Sequence, residues 1–399
     1  MGNRKSRVEA VGLMTVHKKL IDSYQGKTVL ITGHTGFKGS WLALWLESLG
    51  AKVIGYSLDP PTDPSFFQAT GLSERIIDIR GDILDCNKVF ETVKKYRPEF
   101  IFHLAAQPLV RHSYKNPLET FNVNIIGTAN ILESIRLSQY STTCVCITSD
   151  KCYENREWDY AYRENDPLGG HDPYSASKGA AELVIASYRK SFFTTGKENS
   201  FVSLSSARSG NIIGGGDWAE DRIVPDCVRA LVKENTIEIR NPHAIRPWQF
   251  VLDPLFGYLL LALKMKEKPE IYAGAWNFGP SHSNAVDVQT LTEKVLEEWG
   301  SGTWKGMSQN ENAPHEASYL KLDIAKSMMR LGWQPVYDID EAIQKTVNWY
   351  KQFYSGNGEM CKFSQEQIRK YLQMQKLLHD NQEETKKLRE IQGLRNWNG

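Results

Sequence analysis

The chain has no run of about 18 apolar residues, the length a membrane-spanning helix needs, so none is expected. It has only six cysteines in 399 residues, and none stands in the paired spacing of a zinc site or a disulfide framework. Cys144 and Cys146 alternate along a predicted strand and read as small buried apolar residues. Neither sign of charge dominates: 48 Lys and Arg balance 47 Asp and Glu, for a net charge of +1. Without a single-sign field, nucleic acid and membrane are not favoured partners. Residues 1–25 carry charges throughout and no continuous apolar core, which argues against a secretory signal. They read as an extension without a patterned apolar face. Met1-Gly-Asn-Arg-Lys-Ser6 fits the short myristoylation pattern by its letters, and Met14 offers a plainer second start. No internal repeat and no metal-ligand spacing is visible. What remains is a chain able to bury a large core, in two domains or one with a tail, expected in a reducing, cytoplasmic setting.

The most informative stretch is Thr28-Val-Leu-Ile-Thr-Gly-His-Thr-Gly-Phe-Lys-Gly39, followed by an apolar helical pattern that ends at Gly50. Strand, glycine turn and helix are the parts of a dinucleotide cradle. Gly33 allows the tight turn, Gly36 lets backbone N–H groups approach a pyrophosphate, and Gly39 lets helix and strand pack closely. The helix N-terminus then faces the phosphates with its partial positive charge.

Further along, strand patterns at 52–57, 76–82, 100–106, 143–148 and 201–205 alternate with helical patterns at 87–96, 118–138 and 173–189. This predicts an α/β fold, a Rossmann-like doubly wound parallel sheet covered on both faces. Past residue 206 the pattern turns irregular, Gly-rich at Gly214-Gly-Gly216 and Pro-rich at 241–247. The expected division is an extension at 1–25, a dinucleotide-binding domain at 26–205 with about 246–280, a smaller substrate-binding domain at 206–245 and 281–355, and a charged helical tail at 356–399. In that tail Ile368, Leu372, Leu378 and Leu388 are too loosely spaced for a heptad, so a solvated or docking helix is expected.

Tyr174 and Lys178, in Tyr174-Ser-Ala-Ser-Lys178, lie four apart and emerge on one helix face. A neighbouring ammonium stabilises phenolate, which would make Tyr174 a usable base. Alone, this pair also fits an exposed helix. Downstream of GxxGxxG, after a strand ending in Thr148-Ser149, it resembles the short-chain dehydrogenase/reductase superfamily in its extended, sugar-nucleotide-modifying branch. The resemblance covers about residues 26–355. It implies that Ser149 bonds the substrate oxygen being oxidised, that Tyr174 is the base, and that Lys178 holds the nicotinamide ribose. It further implies NAD contacts from Gly33, Thr35, Gly36, Phe37, Lys38 and Gly39, from Asp82 and Ile83 at the adenine, and from Leu104, Ala105 and Ala106 along the cofactor. Asn124 matches a helix asparagine with a structural role. Arg246, in Arg246-Pro-Trp-Gln-Phe-Val251, matches an arginine that grips a substrate pyrophosphate, with Gln107, Asn211, Arg222 and Arg240 as further substrate contacts. Asn277-Phe-Gly279 and Leu331-Gly-Trp-Gln-Pro335 are family landmarks. The helices at 118–138 and 173–189 imply an isologous homodimer or higher homo-oligomer.

Relatives that use NAD carry an acid at the end of the second strand. Here Ser57 stands at that end, and Asp59, two residues on, either binds the ribose or merely opens a turn. No Arg or Lys follows within the next few residues, so NAD is expected over NADP.

The discriminating tripeptide is Ser149-Asp150-Lys151. Epimerases of this branch have small or uncharged residues there, whereas nucleotide-sugar 4,6-dehydratases carry an acid followed by a second proton-transfer group. With Gly170-His-Asp-Pro-Tyr174 and Gly214-Gly-Gly-Asp-Trp218, the tripeptide resembles the dehydratases that act on CDP-glucose. The resemblance implies C4 oxidation, loss of water across C5 and C6, and hydride return to C6. Asp150 would be the acid at O6 and Lys151 the base at C5, the latter only where nearby positive charge, as from Lys178, or desolvation lowers its proton affinity. Otherwise Lys151 is a solvent-facing lysine. A sugar-nucleotide 4-epimerase and a non-catalytic dinucleotide-binding regulator are the alternatives. Asp150-Lys151 argues against the first, and the intact Ser149, Tyr174 and Lys178 set against the second.

Overall fold

The computed structural model describes residues 16–193, 202–281, 284–307, 319–356 and 358–395. Seven strands form one sheet: β1 (Thr28–Thr32), β2 (Lys52–Ser57), β3 (Ile77–Arg80), β4 (Phe100–His103), β5 (Thr142–Ile147), β6 (Val202–Arg208) and β7 (Ala275–Asn277). Their spatial order is β3-β2-β1-β4-β5-β6-β7, and every pairing is parallel. The inner strands are apolar runs because helices cover both faces. Strand order reverses between β1 and β4, and ligands of such sheets bind beyond the strand C-termini at that crevice.

Eight helices matter to the argument: α1 (Val16–Tyr24), α2 (Phe37–Ser48), α3 (Cys86–Tyr96), α4 (Gly127–Ser138), α5 (Pro173–Ser191), α6 (Leu252–Glu267), α7 (Ile339–Tyr354) and α8 (Met360–Arg395). On one face Trp41, Trp45, Leu255 and Leu259 pack with Val29, Ile31, Phe102 and Val145. On the other, Ile131, Ile135 and Ile185 pack with Leu30, Ile54, Ile101 and Cys144. The doubly wound sheet is as expected, and Cys144 and Cys146 are buried free thiols. Short strand pairs lie outside the sheet: Ile212–Ile213 with Gln249–Phe250, Ile237–Ile239 with Trp304–Gly306, and Ile245–Pro247 with Ala285–Asp287. Among the described residues no helix is long and apolar enough to cross a membrane.

Two segments differ from expectation. The helical stretch at 118–138 is interrupted: Pro117–Phe121 is α-helical, Asn122–Ile126 makes a π turn, and α4 continues from Gly127. The extra residue of the π turn re-aims Asn124 inward. Residues 16–24 do carry a patterned apolar face, because Leu20 and Tyr24 are buried and the Tyr24 hydroxyl donates to the Leu259 carbonyl at 2.9 Å. The earlier residues, with Met14 and the myristoylation letters, lie outside the described ones. The tail helix docks through its first part. Ile368, Tyr371 and Leu372 are buried, with the Tyr371 ring edge-on to Trp45 at 5.7 Å and its hydroxyl donating to Asp253 Oδ1 at 3.0 Å.

Candidate active site

The glycine turn closes β1 against α2. Gly33 takes φ +76° and its N–H donates to the Tyr56 carbonyl at 2.9 Å, while a Cβ on Gly39 would lie 2.1 Å from the Gly33 carbonyl oxygen. No described side chain caps α2, whose N-cap is Gly36, so the first-turn N–H groups of Phe37, Lys38 and Gly39 remain for an anion. That arrangement fits a dinucleotide pyrophosphate. Thr35 Oγ1 bonds Ser57 Oγ at 2.9 Å and donates to the Leu58 carbonyl at 3.0 Å, tying the turn to the end of β2. Burial, with Lys178 and Arg222 adding repulsion, pushes the Lys38 ammonium down to about 7. Beyond β4, the Leu104 and Ala105 N–H groups are held by Thr32 at 3.0 and 3.2 Å, which lays Leu104, Ala105 and Ala106 along the crevice floor. Beyond β3, the Asp82 carbonyl accepts from the Tyr56 hydroxyl at 2.8 Å, and Ile83 is buried against Gly127.

Asp59 is not built into this cradle. Its side chain is 90 % exposed, and Arg80 Nε is 3.6 Å away. The parallel register sets Arg80 beside Ser57, where the arginine donates to the Leu58 carbonyl at 3.0 Å and to Asp78 Oδ2 at 2.7 Å. The residues just after β2 carry no cation, and the neighbouring strand delivers this one.

Ser149 follows β5 and caps the short turn Asp150–Cys152. Its hydroxyl donates to Asp150 Oδ1 at 2.9 Å, and the Lys151 N–H donates to Ser149 Oγ and Asp150 Oδ1 at 3.2 and 3.0 Å. Asp172 caps α5 through the Ser175 N–H, which fixes the first turn and sets Tyr174 beside Ser149. Lys178 Nζ lies 6.0 Å from the Tyr174 ring centroid. Ser149, Asp150, Tyr174 and Lys178 are all buried together, while Lys151 is half-buried at the edge. Gly210 makes room for the acid, since a Cβ there would lie 2.1 Å from the Asp150 carboxyl. Asn211, at φ +50°, points Nδ2 to within 3.5 Å of Asp150 Oδ2.

The expected lowering of Tyr174 by Lys178 is not what the structure has. Burial pushes the phenol up to about 12, against the pull of Ser149 and with Asp150 adding to the rise. Burial likewise pushes Lys178 down to about 8 and His103, behind it, down to about 3. Desolvation outweighs the pairwise attractions here.

Asn124 bonds the Gln107 backbone in both directions, at 2.9 and 3.1 Å, and donates to Ser177 Oγ at 2.8 Å, a structural role. The Gln107 side chain is spent on its own loop: Nε2 donates to the Leu109 carbonyl and Thr120 Oγ1, and Oε1 accepts from the Leu109 N–H. It is therefore not presented to a substrate as expected. Arg222 pairs with Asp217 at 2.9 Å, and Arg240 pairs with Asp221. Arg111 comes within 3.8 Å of the same Asp221 carboxylate, an arginine that no sequence motif singled out. Arg246 projects from Ile245–Pro247 and donates to the Ile245 carbonyl. Among the described residues no cluster of metal ligands occurs.

A family model described as GDP-mannose 4,6 dehydratase matches residues 30–346. The chain belongs to that family. It is 46% identical over 351 residues to the CDP-glucose 4,6-dehydratase of Salmonella typhimurium, covering 88% of this chain and 97% of that one. The CDP-paratose 2-epimerase of Salmonella typhi is 28% identical over 350 residues, covering 80% and 98%. Among solved structures, the UDP-glucose 4-epimerase of Thermotoga maritima superposes with a TM-score of 0.69 at 20% identity, over 82% of this chain and 99% of that one. That likeness is one of fold. Dehydratases and epimerases share this scaffold, so the fold by itself does not choose between them.

Proposed function

We propose that the chain dehydrates CDP-D-glucose to CDP-4-keto-6-deoxy-D-glucose with NAD as its cofactor, as a hydro-lyase serving deoxysugar synthesis. The observation that carries this reading is Asp150, a buried carboxylate held on the hydroxyl of Ser149, with Lys151 next to it in the chain and Tyr174 buried beside the same hydroxyl. An epimerase inverts C4 and has no use for an acid and a base at C6 and C5. The 46% identity to a CDP-glucose 4,6-dehydratase supports the choice of nucleotide.

NAD, when bound, would supply a hydride acceptor for C4 and a pyridinium charge that lowers the proton affinity of Tyr174. Ser149 orients the C4 hydroxyl and Tyr174 takes its proton, while Lys178 holds the ribose. Once C4 is a ketone, the C5 hydrogen is acidic. Lys151 removes that proton, Asp150 protonates O6 as it leaves as water, and the hydride taken from C4 returns to C6 while Lys151 hands its proton back to C5. The diphosphate is gripped by Arg222, Arg240 and Arg246, with Arg111 alongside.

On this reading residues 26–205 and about 246–280 hold the cofactor, and 206–245 with 281–355 hold the nucleotide sugar. The exposed Leu118, Ile126, Leu137, Leu183 and Phe192 on the 117–138 and α5 helices support an isologous homodimer. The free thiols support a cytoplasmic setting. Incubation with UDP-, dTDP-, GDP- and CDP-glucose tests the activity: a 4-keto-6-deoxy product is expected from CDP-glucose, and a 4-epimer without dehydration refutes it. Light scattering that finds only monomer at micromolar concentration refutes the dimer.

A further inference from the structure

Beneath the catalytic residues lies a buried polar cluster that takes no part in the chemistry above. Arg208 closes β6, and Glu182 stands one turn beyond Lys178 on α5. Their side chains are each 3 % exposed and pair at 2.7 Å. Glu182 Oε1 accepts from Thr148 Oγ1 at 2.6 Å, and Oε2 accepts from Ser206 Oγ at 2.8 Å. Arg208 Nη1 donates to the Tyr153 hydroxyl at 2.7 Å and to the Glu164 carbonyl at 3.1 Å. The Tyr153 hydroxyl in turn donates to Asn277 Oδ1, at the end of β7, at 2.7 Å.

The sequence positions give this cluster its meaning. Thr148 immediately precedes Ser149, and Tyr153 follows Lys151 by two residues, so the reacting segment is held at both ends. Glu182 fixes the α5 helix that carries Tyr174 and Lys178. Arg208 stands two residues before Gly210, which makes room for Asp150. A buried ion pair is weak evidence for stability, because well-packed apolar residues often replace one at no cost. What it supplies is a fixed geometry and a fixed charge.

We propose that the Glu182–Arg208 pair is a positioning brace for the dehydratase reaction, holding residues 148–151 in register with α5 and balancing the charge beneath Lys178. The proposal rests on the dehydratase reading. The groups facing Lys178 are Cys146 from β5, Cys152 from the following turn, Glu182 from its own helix, His103 from β4 and Lys38 from α2. Burial lowers Lys178, and the Glu182 carboxylate opposes that lowering. Removing the Glu182 charge takes away the carboxylate that favours the charged form of Lys178, which then loses its proton at lower pH. Removing Arg208 leaves Glu182 negative, and Lys178 keeps its proton to higher pH.

The test uses the full chain as Glu182→Gln, Arg208→Met and the double variant, with CDP-glucose and NAD. The pH dependence of the first hydride step in a single turnover, and of NAD binding without sugar, is measured for each. The upper limb should move down in Glu182→Gln and up in Arg208→Met, by about half a pH unit or more. In the double variant it should return near the wild-type position, with kcat about tenfold lower and KM nearly unchanged. Coincident limbs in the two single variants, with rates falling only as thermal stability falls, overturn the proposal. Should the singles fail to fold, the double, which leaves no unpaired buried charge, decides: full kcat overturns the brace, and reduced kcat with unchanged KM supports it. A wild-type chain that leaves CDP-glucose unchanged defeats the dehydratase reading instead, and the limb of NAD binding then decides the charge balance by itself.

Discussion

Gly210→Ala is a one-methyl test of where the acid must sit. The added Cβ would lie 2.1 Å from the Asp150 carboxyl, with both oxygens as close as 2.1 and 2.2 Å. Ordinary carbon contacts begin near 3.5 Å, so the carboxylate has to retreat by about 1 Å or more. Retreat breaks the Ser149 hydroxyl's 2.9 Å bond to Asp150 and the 3.0 Å bond from the Lys151 N–H. A displacement of that size at reacting groups costs on the order of 100-fold in rate. Overpacking costs about 1–3 kcal/mol of stability, which a domain of this size survives. Product formation from CDP-glucose should therefore fall about 100-fold, while NAD affinity, set at the α2 turn, changes less than about threefold. Calorimetric NAD binding beside a continuous product assay reads both. A Gly210→Ala protein that folds and turns over at the normal rate would show that the Asp150 position is not critical.

Lys151→Met should still reduce NAD in a single turnover but form product about two to four orders of magnitude more slowly, as for a lost acid–base group. Normal exchange of the C5 hydrogen with solvent deuterium in that variant would remove Lys151 as the base, whereas Tyr174→Phe should suppress the reduction itself. Asp59→Ala should leave NAD binding nearly unchanged, given the exposure of that side chain, and improve NADP binding by removing a negative charge beside Arg80, which Asp78 still holds in place; calorimetry that finds NAD weakened tenfold would return the ribose to Asp59. Asp253 is fully buried and pushed up to about 7, so its folded value lies above its unfolded one. The neutral acid's contribution is complete below the unfolded value near 4 and is lost as pH rises through about 7. Asp253→Asn should therefore raise the urea midpoint relative to wild type at pH 8 more than at pH 5, and an equal difference at both would refute the assignment.

Much of the cradle was legible because its constraints are local. A glycine turn between an apolar strand and an apolar helix is written in consecutive residues, and so are the Tyr174–Lys178 spacing and the Ser149-Asp150-Lys151 run. What the sequence concealed depends on strand neighbours and burial. Arg80 reaches the end of β2 only because β3 pairs alongside with Ser57 opposite Arg80. Arg111 meets Asp221 across more than a hundred residues of chain. Gln107 looked available to a ligand, yet its own loop uses every polar atom of the amide. The Tyr174 shift depends on how much water the fold removes, a quantity no spacing encodes. The apolar face of residues 16–24 was missed because two buried residues, Leu20 and Tyr24, are too few to stand out among charges.

The two ends of the described chain fasten to one helix. Near the start, Tyr24 reaches the Leu259 carbonyl on α6, and in the tail Tyr371 reaches the Asp253 carboxylate at the head of the same helix. Six residues of α-helix separate these anchors, about 9 Å along its axis. Loosening either terminus thus frays the same element, and the costs of trimming both should fall short of their sum, since the second cut removes support from a helix already released. For protein engineering, this makes α6 a natural splint, the element to reinforce before either end is trimmed.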